Sequence, residues 1–315
     1  MDLDLLVEGV RQGRPRAVAR LITMVENGSP LLREISAELV RLCADRPERA
    51  RIIGLTGSPG VGKSTSTAML VRTFRERGAK VGVLAVDPSS PFTGGALLGD
   101  RVRMQDHATD SGVFIRSMAS RGHLGGLAWA APQALRVLEA AGCEVILVET
   151  VGVGQAEVDI ASLADSTVVL LAPGMGDGVQ AAKAGILEIA DVFVVNKADR
   201  DGAQAVVREL RNMLALTERD WRPPIVPTVA ARGEGGEDVA DALDAHLAHL
   251  RGSGELERRR RARARDEIEA IALAALRSRF AHLHGDSRLD ALAARVLAAE
   301  TDPYGAADEL LASLT

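Results

Sequence analysis

The sequence predicts an α/β fold, a mostly parallel sheet with helices on both faces, extended by helices at each end. Three observations carry that prediction. Between residues 51 and 250, short β-rich runs alternate with helical stretches, the pattern of strands joined by crossover helices. The run Gly57-Ser58-Pro59-Gly60-Val61-Gly62-Lys63-Ser64 fits G-x-x-x-x-G-K-[ST] and sits between a strand-like and a helix-like segment, the setting of a P-loop NTPase. The chain also changes character after Arg251-Gly-Ser-Gly254, and before residue 48 it shows helical periodicity alone. We therefore expect a helical N-terminal extension at 1–48, a P-loop domain at 49–251 and a helical C-terminal arm at 252–315.

In chain order, Leu3, Leu6, Val7 and Val10, then Ala17, Leu21 and Ile22, then Leu31, Ile35, Leu39 and Leu42 recur at helical spacing. Asn27-Gly-Ser-Pro30 divides them, with Ser29 as N-cap and Pro30 as first helical residue. Strands are expected at 51–56, 81–86, 113–117, 144–149, 167–172, 192–196 and 225–229. Beyond Gly254, helices are expected at 255–280, 286–299 and 304–314. In the first of these, Glu255/Arg259, Glu257/Arg261, Arg263/Glu267 and Arg265/Glu269 stand four apart, where side chains meet on a helix. The basic run Arg258–Arg261 thus reads as a solvated, self-paired face rather than a nucleic-acid patch. Ile268, Ile271, Leu273, Ala275 and Leu276 give the same helix an apolar side, for which a second copy of the chain is the expected partner, making a homodimer.

Composition narrows the class. With 315 residues and 47% hydrophobic content the chain builds a substantial core, and 3% aromatics makes that core aliphatic. A net charge of −5 gives no global pull toward nucleic acid or anionic membrane. Cys43 and Cys143 are isolated, which argues against a disulfide framework or cysteine-rich metal site. The start is unlike a signal peptide and no segment reaches 18 uninterrupted apolar residues, so a cytoplasmic protein is expected. Of the 38 basic residues only Lys63, Lys80, Lys183 and Lys197 are lysines, which makes each conspicuous. Lys80, ahead of a strand, reads as surface.

The chemistry of the loop follows from its residues. Its glycines let backbone N–H groups turn inward around phosphates, and the helix N-terminus adds its positive dipole end. Lys63 would reach the β- and γ-phosphates and the Ser64 hydroxyl would ligate Mg²⁺, with Thr65 closing the loop. The segment Asn196-Lys197-Ala198-Asp199 ends a hydrophobic strand as N-K-x-D. The Asp199 carboxylate suits the N1–H and exocyclic amine of guanine, Asn196 its far edge, and the Lys197 stem its ring face. Adenine would leave Asp199 facing a lone pair, at a cost of about 1–3 kcal/mol. Together the two motifs predict GTP and GDP as ligands.

Further residues complete the site. Glu149-Thr-Val-Gly152 is a D-x-x-G switch with Glu in place of Asp, its acid holding Mg²⁺ through water and its Gly152 amide sensing the γ-phosphate. Asp87 and Asp100 are candidates for the metal's outer shell. Where small signalling GTPases carry a water-orienting glutamine, this chain has Val153, so intrinsic hydrolysis should be slow. Pro173-Gly-Met-Gly-Asp-Gly178 leads to Lys183 and suits a mobile switch. Val229, Ala230 and Ala231 end a strand where backbone amides could support the guanine oxygen. The pairs His246/His249 and His282/His284 lack further ligands and read as surface residues.

With these residues in hand, the chain resembles the methylmalonyl-CoA mutase-associated GTPases of the MeaB/ArgK type, over nearly its entire length. The resemblance rests on Thr56–Ser64, Ala85-Val-Asp-Pro-Ser-Ser-Pro91, Arg116-Ser-Met-Ala-Ser-Arg-Gly122, Glu149-Thr-Val-Gly-Val-Gly-Gln155, Gly185–Asp191 and Asn196–Asp199. It implies a GTPase domain between helical extensions and a homodimer formed by the C-terminal arm. It also implies a chaperone role that gates adenosylcobalamin loading of the mutase and protects it from inactivation. By the same resemblance Asp87, Asp100 and Glu149 map to metal-site acids and Lys183 to a switch that answers the partner. Two alternatives are a nickel-insertion GTPase, which would use Cys/His clusters, and a GTP-dependent kinase linked to amino-acid transport.

Overall fold

The computed structural model describes residues 3–88, 110–120, 130–150, 156–174, 186–216, 219–280 and 287–312. Seven strands, β1 (Arg51–Thr56), β2 (Val81–Pro88), β3 (Val113–Ser120), β4 (Val145–Thr150), β5 (Ser166–Leu171), β6 (Val192–Asn196) and β7 (Ile225–Thr228), form one sheet. Its order is β3-β2-β4-β1-β5-β6-β7 and every pairing is parallel. β4, β5 and β6 are buried along their whole length, which explains their unbroken apolar runs. β1 lies between β4 and β5; the chain leaves it toward β2 on one side and later crosses over it from β4 to β5 on the other, so the strand order reverses there and opens a crevice at its carboxyl end, where α/β sheets bind ligands.

On one face pack three N-terminal helices, α1 (Leu3–Arg11), α2 (Pro15–Glu26) and α3 (Leu32–Ala44), together with the helix Ala131–Ala140. Their core joins Val10, Leu21, Ile22, Ile35 and Leu39 to Leu138, Leu84 and Ile146. The extension is fastened as well as packed. Buried Glu139 accepts from Arg49 at 2.6 Å and from the Ala50 N–H at 3.0 Å, while Arg46 donates to its carbonyl at 2.7 Å. The periodic run breaks twice, at Gln12–Arg14 as well as before residue 32, because Pro15 starts a helix at its first position. The third helix begins after Leu31 rather than at Pro30, and the Ser29 hydroxyl accepts the Leu31 N–H at 3.3 Å.

The other face carries α4 (Lys63–Glu76) and the helix Gly236–Ser253, which enclose Ile53, Leu55, Leu70, Val83, Leu147 and Leu243. The helix Ala203–Leu214 lies on the first face, covering Val169, Phe193 and Val195, which alternate with the Val168, Val192 and Val194 of this one. Lys80 is not a simple surface residue: its ammonium caps the Ala141 carbonyl at 2.8 Å and lies 5.0 Å from the centre of the Phe114 ring.

At the amino ends of the strands the structure corrects the expected self-paired basic run. Arg259 donates twice to Asp191, at 2.9 and 3.0 Å, and Arg260 twice to Asp165, at 3.2 and 2.9 Å. Arg263 reaches Asp165 at 2.6 Å and also the Leu163 carbonyl. Of the expected helix pairs, Glu255/Arg259 at 3.5 Å and Glu257/Arg261 at 3.8 Å do form. His246 is buried, not superficial: its Nδ1 meets the Ser166 hydroxyl at 2.8 Å and its Nε2 lies 3.2 Å from Asp191.

The chain forms two compact units, Met1–Arg263 and Ala264–Thr315. The helix Glu255–Phe280 therefore belongs by its first turns to the sheet-bearing unit. In the second unit the helices Ser287–Leu297 and Pro303–Ala312 pair through Arg295 and Glu309 at 2.8 Å. Ile268, Ile271, Leu273 and Leu276 are exposed in the single chain. Among the described residues no helix is long and apolar enough to cross a membrane.

Candidate nucleotide site

The phosphate loop leaves β1 with Gly57 at φ 143° and closes with Gly62 at φ 97°, both in the region L side chains avoid. Space demands glycine there as well. A Cβ on Gly57 would lie 2.3 Å from the Leu170 carbonyl oxygen of β5, and one on Gly62 would lie 2.4 Å from the Asn196 amide nitrogen. Lys63 opens α4 and its ammonium donates to the carbonyls of Gly57 at 2.6 Å and Ser58 at 3.2 Å, folding the loop back over the helix N-terminus.

The second loop is bound to the first. Asn196, buried at the end of β6, donates to the Val61 carbonyl at 2.9 Å and accepts from the Ala230 N–H at 3.1 Å and the Thr228 hydroxyl at 3.2 Å. Its side chain is a strut between three segments, where the sequence suggested a contact with the base edge. Lys197, in the left-handed region at φ 57°, donates to the Gly60 carbonyl at 2.6 Å. Two loops some 135 residues apart are thus joined at Val61 and Gly60 into one surface. Asp199 stands on that surface, 42% exposed, with the Arg232 guanidinium 3.8 Å away. Val229, Ala230 and Ala231 lie beside it, the last two in a short 3₁₀ turn, Ala230–Arg232.

The candidate metal acid is placed by strand register. Glu149 of β4 pairs with Leu55 of β1, so its side chain rises next to the loop. It is 4% exposed, and its carboxylate accepts from the Ser64 hydroxyl at 2.6 Å and the Thr67 hydroxyl at 3.0 Å. A hydroxyl and a carboxylate in contact, both hard oxygen donors, fit Mg²⁺. Among the described residues no group of three or more His, Cys, Asp or Glu is placed to hold a metal ion. The Asp87 side chain, Asp100, Gly152, Val153 and Lys183 lie outside the described residues. Thr67 and Thr228 went unnoticed in the sequence. Thr67 was findable, three residues beyond Ser64 on the same helix face, whereas Thr228 depends on the β6–β7 pairing.

A parallel sheet, a glycine loop at a helix N-terminus and an N-K-x-D segment bonded to that loop define a P-loop GTPase. Comparison with known proteins narrows this. The family model "Methylmalonyl Co-A mutase-associated GTPase MeaB" matches residues 18–284, and the chain belongs to that family. A protein of Pyrococcus abyssi described as a GTPase is 48% identical over 98% of this chain and 96% of its own. The Escherichia coli GTPase ArgK is 36% identical over 80% of this chain and 78% of its own. The mouse "Methylmalonic aciduria type A homolog, mitochondrial" is also 36% identical, over 82% of this chain and 66% of its own. A solved structure described as the LAO/AO transport system kinase superposes with a TM-score of 0.71 at 28% identity, covering 99% of this chain and 97% of that one. The chain is a GTPase of this family.

Proposed function

We propose that this GTPase is a chaperone for an adenosylcobalamin-dependent methylmalonyl-CoA mutase, gating cofactor loading and protecting the mutase from inactivation. The observation that carries the reading is the joining of the phosphate loop and the N-K-A-D loop into one surface, in a chain whose family is described by its association with that mutase. In this reading residues 1–48 are a supporting extension, 49–251 the GTPase domain and 252–315 an arm that makes a homodimer in the cytoplasm.

Gly57–Thr65 would bind the phosphates, with Lys63 moving from its carbonyl partners to the β- and γ-phosphates. Asn196 would hold the loops in register, the Lys197 stem would cover the ring face, Asp199 would read guanine, and the amides of Val229–Ala231 would face the base oxygen. Ser64 and Glu149 would hold Mg²⁺, with Asp87 and Asp100 outside them. The metal, when bound, neutralises charge on the β- and γ-phosphate oxygens. Gly152 and Lys183 would report the γ-phosphate and the partner.

The test is GTP turnover with and without the mutase from the same organism. Turnover should rise on adding it, and Lys183→Ala should blunt the rise more than it changes basal turnover. No rise and no complex would assign the GTPase another client. The name of the solved relative favours a second reading, phosphate transfer to a transport protein; labelled GTP would then mark that protein rather than release phosphate to water.

A further inference from the structure

We infer that Thr67 is a positioning residue for the metal acid, aiming the Glu149 carboxylate at Mg²⁺; this rests on the reading of Glu149 as that acid. Ser64 and Thr67 stand three residues apart on α4 and face the same way. Each hydroxyl meets a different oxygen of one carboxylate: Ser64 reaches Oε1 at 2.6 Å and Thr67 reaches Oε2 at 3.0 Å. Thr67 Oγ1 is also 3.0 Å from the Lys63 carbonyl, so one proton has two acceptors. That carbonyl already takes an N–H within the helix, and a hydrogen bond to a carboxylate is roughly twice as strong as one to a neutral acceptor. The proton therefore belongs to Glu149.

The need for such an anchor comes from the residue itself. A glutamate in the place usually held by aspartate has one more rotatable bond, and an unrestrained carboxylate would sample positions that miss the metal's water shell. The Ser64 hydroxyl would itself become a metal ligand, so its bond to Oε1 changes when the ion binds. With the Thr67 hydroxyl on Oε2, both ends of the carboxylate are fixed before the metal arrives. Thr67 is itself fully buried, so it has no access to nucleotide or solvent and acts through Glu149 alone.

The experiment measures binding of a fluorescent GDP at increasing Mg²⁺, and again in EDTA, with no turnover involved. Thr67→Val, nearly isosteric, should need about tenfold more Mg²⁺ for half-maximal tightening, while Thr67→Ser should stay within about twofold of the parent, as a retained hydroxyl requires. Affinity in EDTA should be equal in all three. In a Glu149→Asp background, whose shorter acid withdraws from Thr67, adding Thr67→Val should shift nothing further. An unchanged Mg²⁺ requirement in Thr67→Val would overturn the inference, as would an equal loss in EDTA or a full further shift in the Glu149→Asp background. Glu149→Gln separates the two layers. If it too leaves the Mg²⁺ requirement unchanged, the assignment of Glu149 fails; if it alone raises the requirement, only the role of Thr67 fails.

Discussion

The two ends of the sheet treat their carboxylates in opposite ways. At the amino ends of β5 and β6, Asp165 and Asp191 are buried and matched by full charges: Arg260 and Arg263 on the first, Arg259 on the second. Backbone N–H groups complete them, Ile52 on Asp165 at 3.1 Å and Thr167 on Asp191 at 2.8 Å. At the carboxyl ends, Glu149 is equally buried and takes the neutral hydroxyls of Ser64 and Thr67 among its partners, and Asp199 is exposed beside a guanidinium beyond hydrogen-bond reach. A buried carboxylate whose charge is met by protein cations serves the fold. One met by neutral donors, or left to solvent, is open to a ligand, which in the function proposed above is a metal ion for Glu149 and the N–H edge of guanine for Asp199.

The comparison breaks most visibly by truncation. A chain ending after Leu250 loses Arg259, Arg260 and Arg263 together and leaves two buried carboxylates without their cations. Removing one partner of a single buried pair costs about 3–5 kcal/mol, so this fragment should fail to fold. A chain ending after Glu269 keeps all three arginines and a further turn to absorb end fraying; it should fold, bind GDP like the full chain and sediment as a monomer if the arm makes the dimer. Equal urea stability of the two fragments would show that the arginine clamps do not hold the fold.

A single substitution isolates one clamp. Asp165→Asn keeps an acceptor for the Ile52 N–H but removes the charge that Arg260 and Arg263 face, and should destabilise by about 3 kcal/mol with GDP affinity unchanged. Burial pushes the Asp165 carboxyl up, but the Arg260 hydrogen bond and the charges of Arg263 and Arg260 outweigh it and hold it below its ordinary value. Asp191 is lowered in the same way, burial being outweighed by His246 and Arg259. Since both folded values lie below the unfolded one, their stabilisation is complete above about pH 4 and is lost as pH falls through the folded values. Unfolding free energy against pH should therefore fall below about pH 4, less steeply in Asp165→Asn. An unchanged acid limb would place the acid sensitivity elsewhere.

At the other end, Lys63→Ala would remove the point charge proposed to stabilise the transferring phosphoryl group, and GTP turnover should drop by about a hundredfold or more. Stability should change less than turnover, since the Gly57 and Ser58 carbonyls that the ammonium bonds belong to its own loop, six and five residues away. Turnover at the original rate would remove the loop from the chemistry.

What the sequence made legible was local, and what it hid was distant. The glycine loop could be read because its chemistry lies in consecutive backbone atoms, and the strands because they are buried on both faces. The arginine clamps could not. Arg259 and Arg263 each have a glutamate four residues away, and pairs of that kind contribute only about 0.2–0.5 kcal/mol. The buried carboxylates they also meet stand 68 and 98 residues off, and only the folded sheet brings them near. Asn196 shows the same limit: N-K-x-D identified it as a nucleotide residue, but its bonds to Val61 and Ala230 come from β6 reaching across to the loop.

The smallest effect tests how the exposed carboxylate reads its base. Asp199 is partly in water and the Arg232 guanidinium is 3.8 Å away, so Asp199→Asn should leave stability within about 0.5 kcal/mol of the parent. Its effect belongs to the ligand. An amide presents one acceptor and one donor where the carboxylate presents two acceptors, so it meets guanine's two N–H groups badly and xanthine's N–H and exocyclic oxygen well. One mismatched polar contact costs about 1–3 kcal/mol, which corresponds to a loss of GDP affinity of roughly tenfold or more and a comparable gain for XDP. Arg232 sharpens the test: replacing it with Ala should shift both nucleotides alike, because it neighbours the carboxylate rather than the base. Competition binding of GDP, XDP and ADP to the two variants decides it. If Asp199→Asn bound GDP and XDP in the parent's ratio, base selection would lie elsewhere than in the exposed carboxylate.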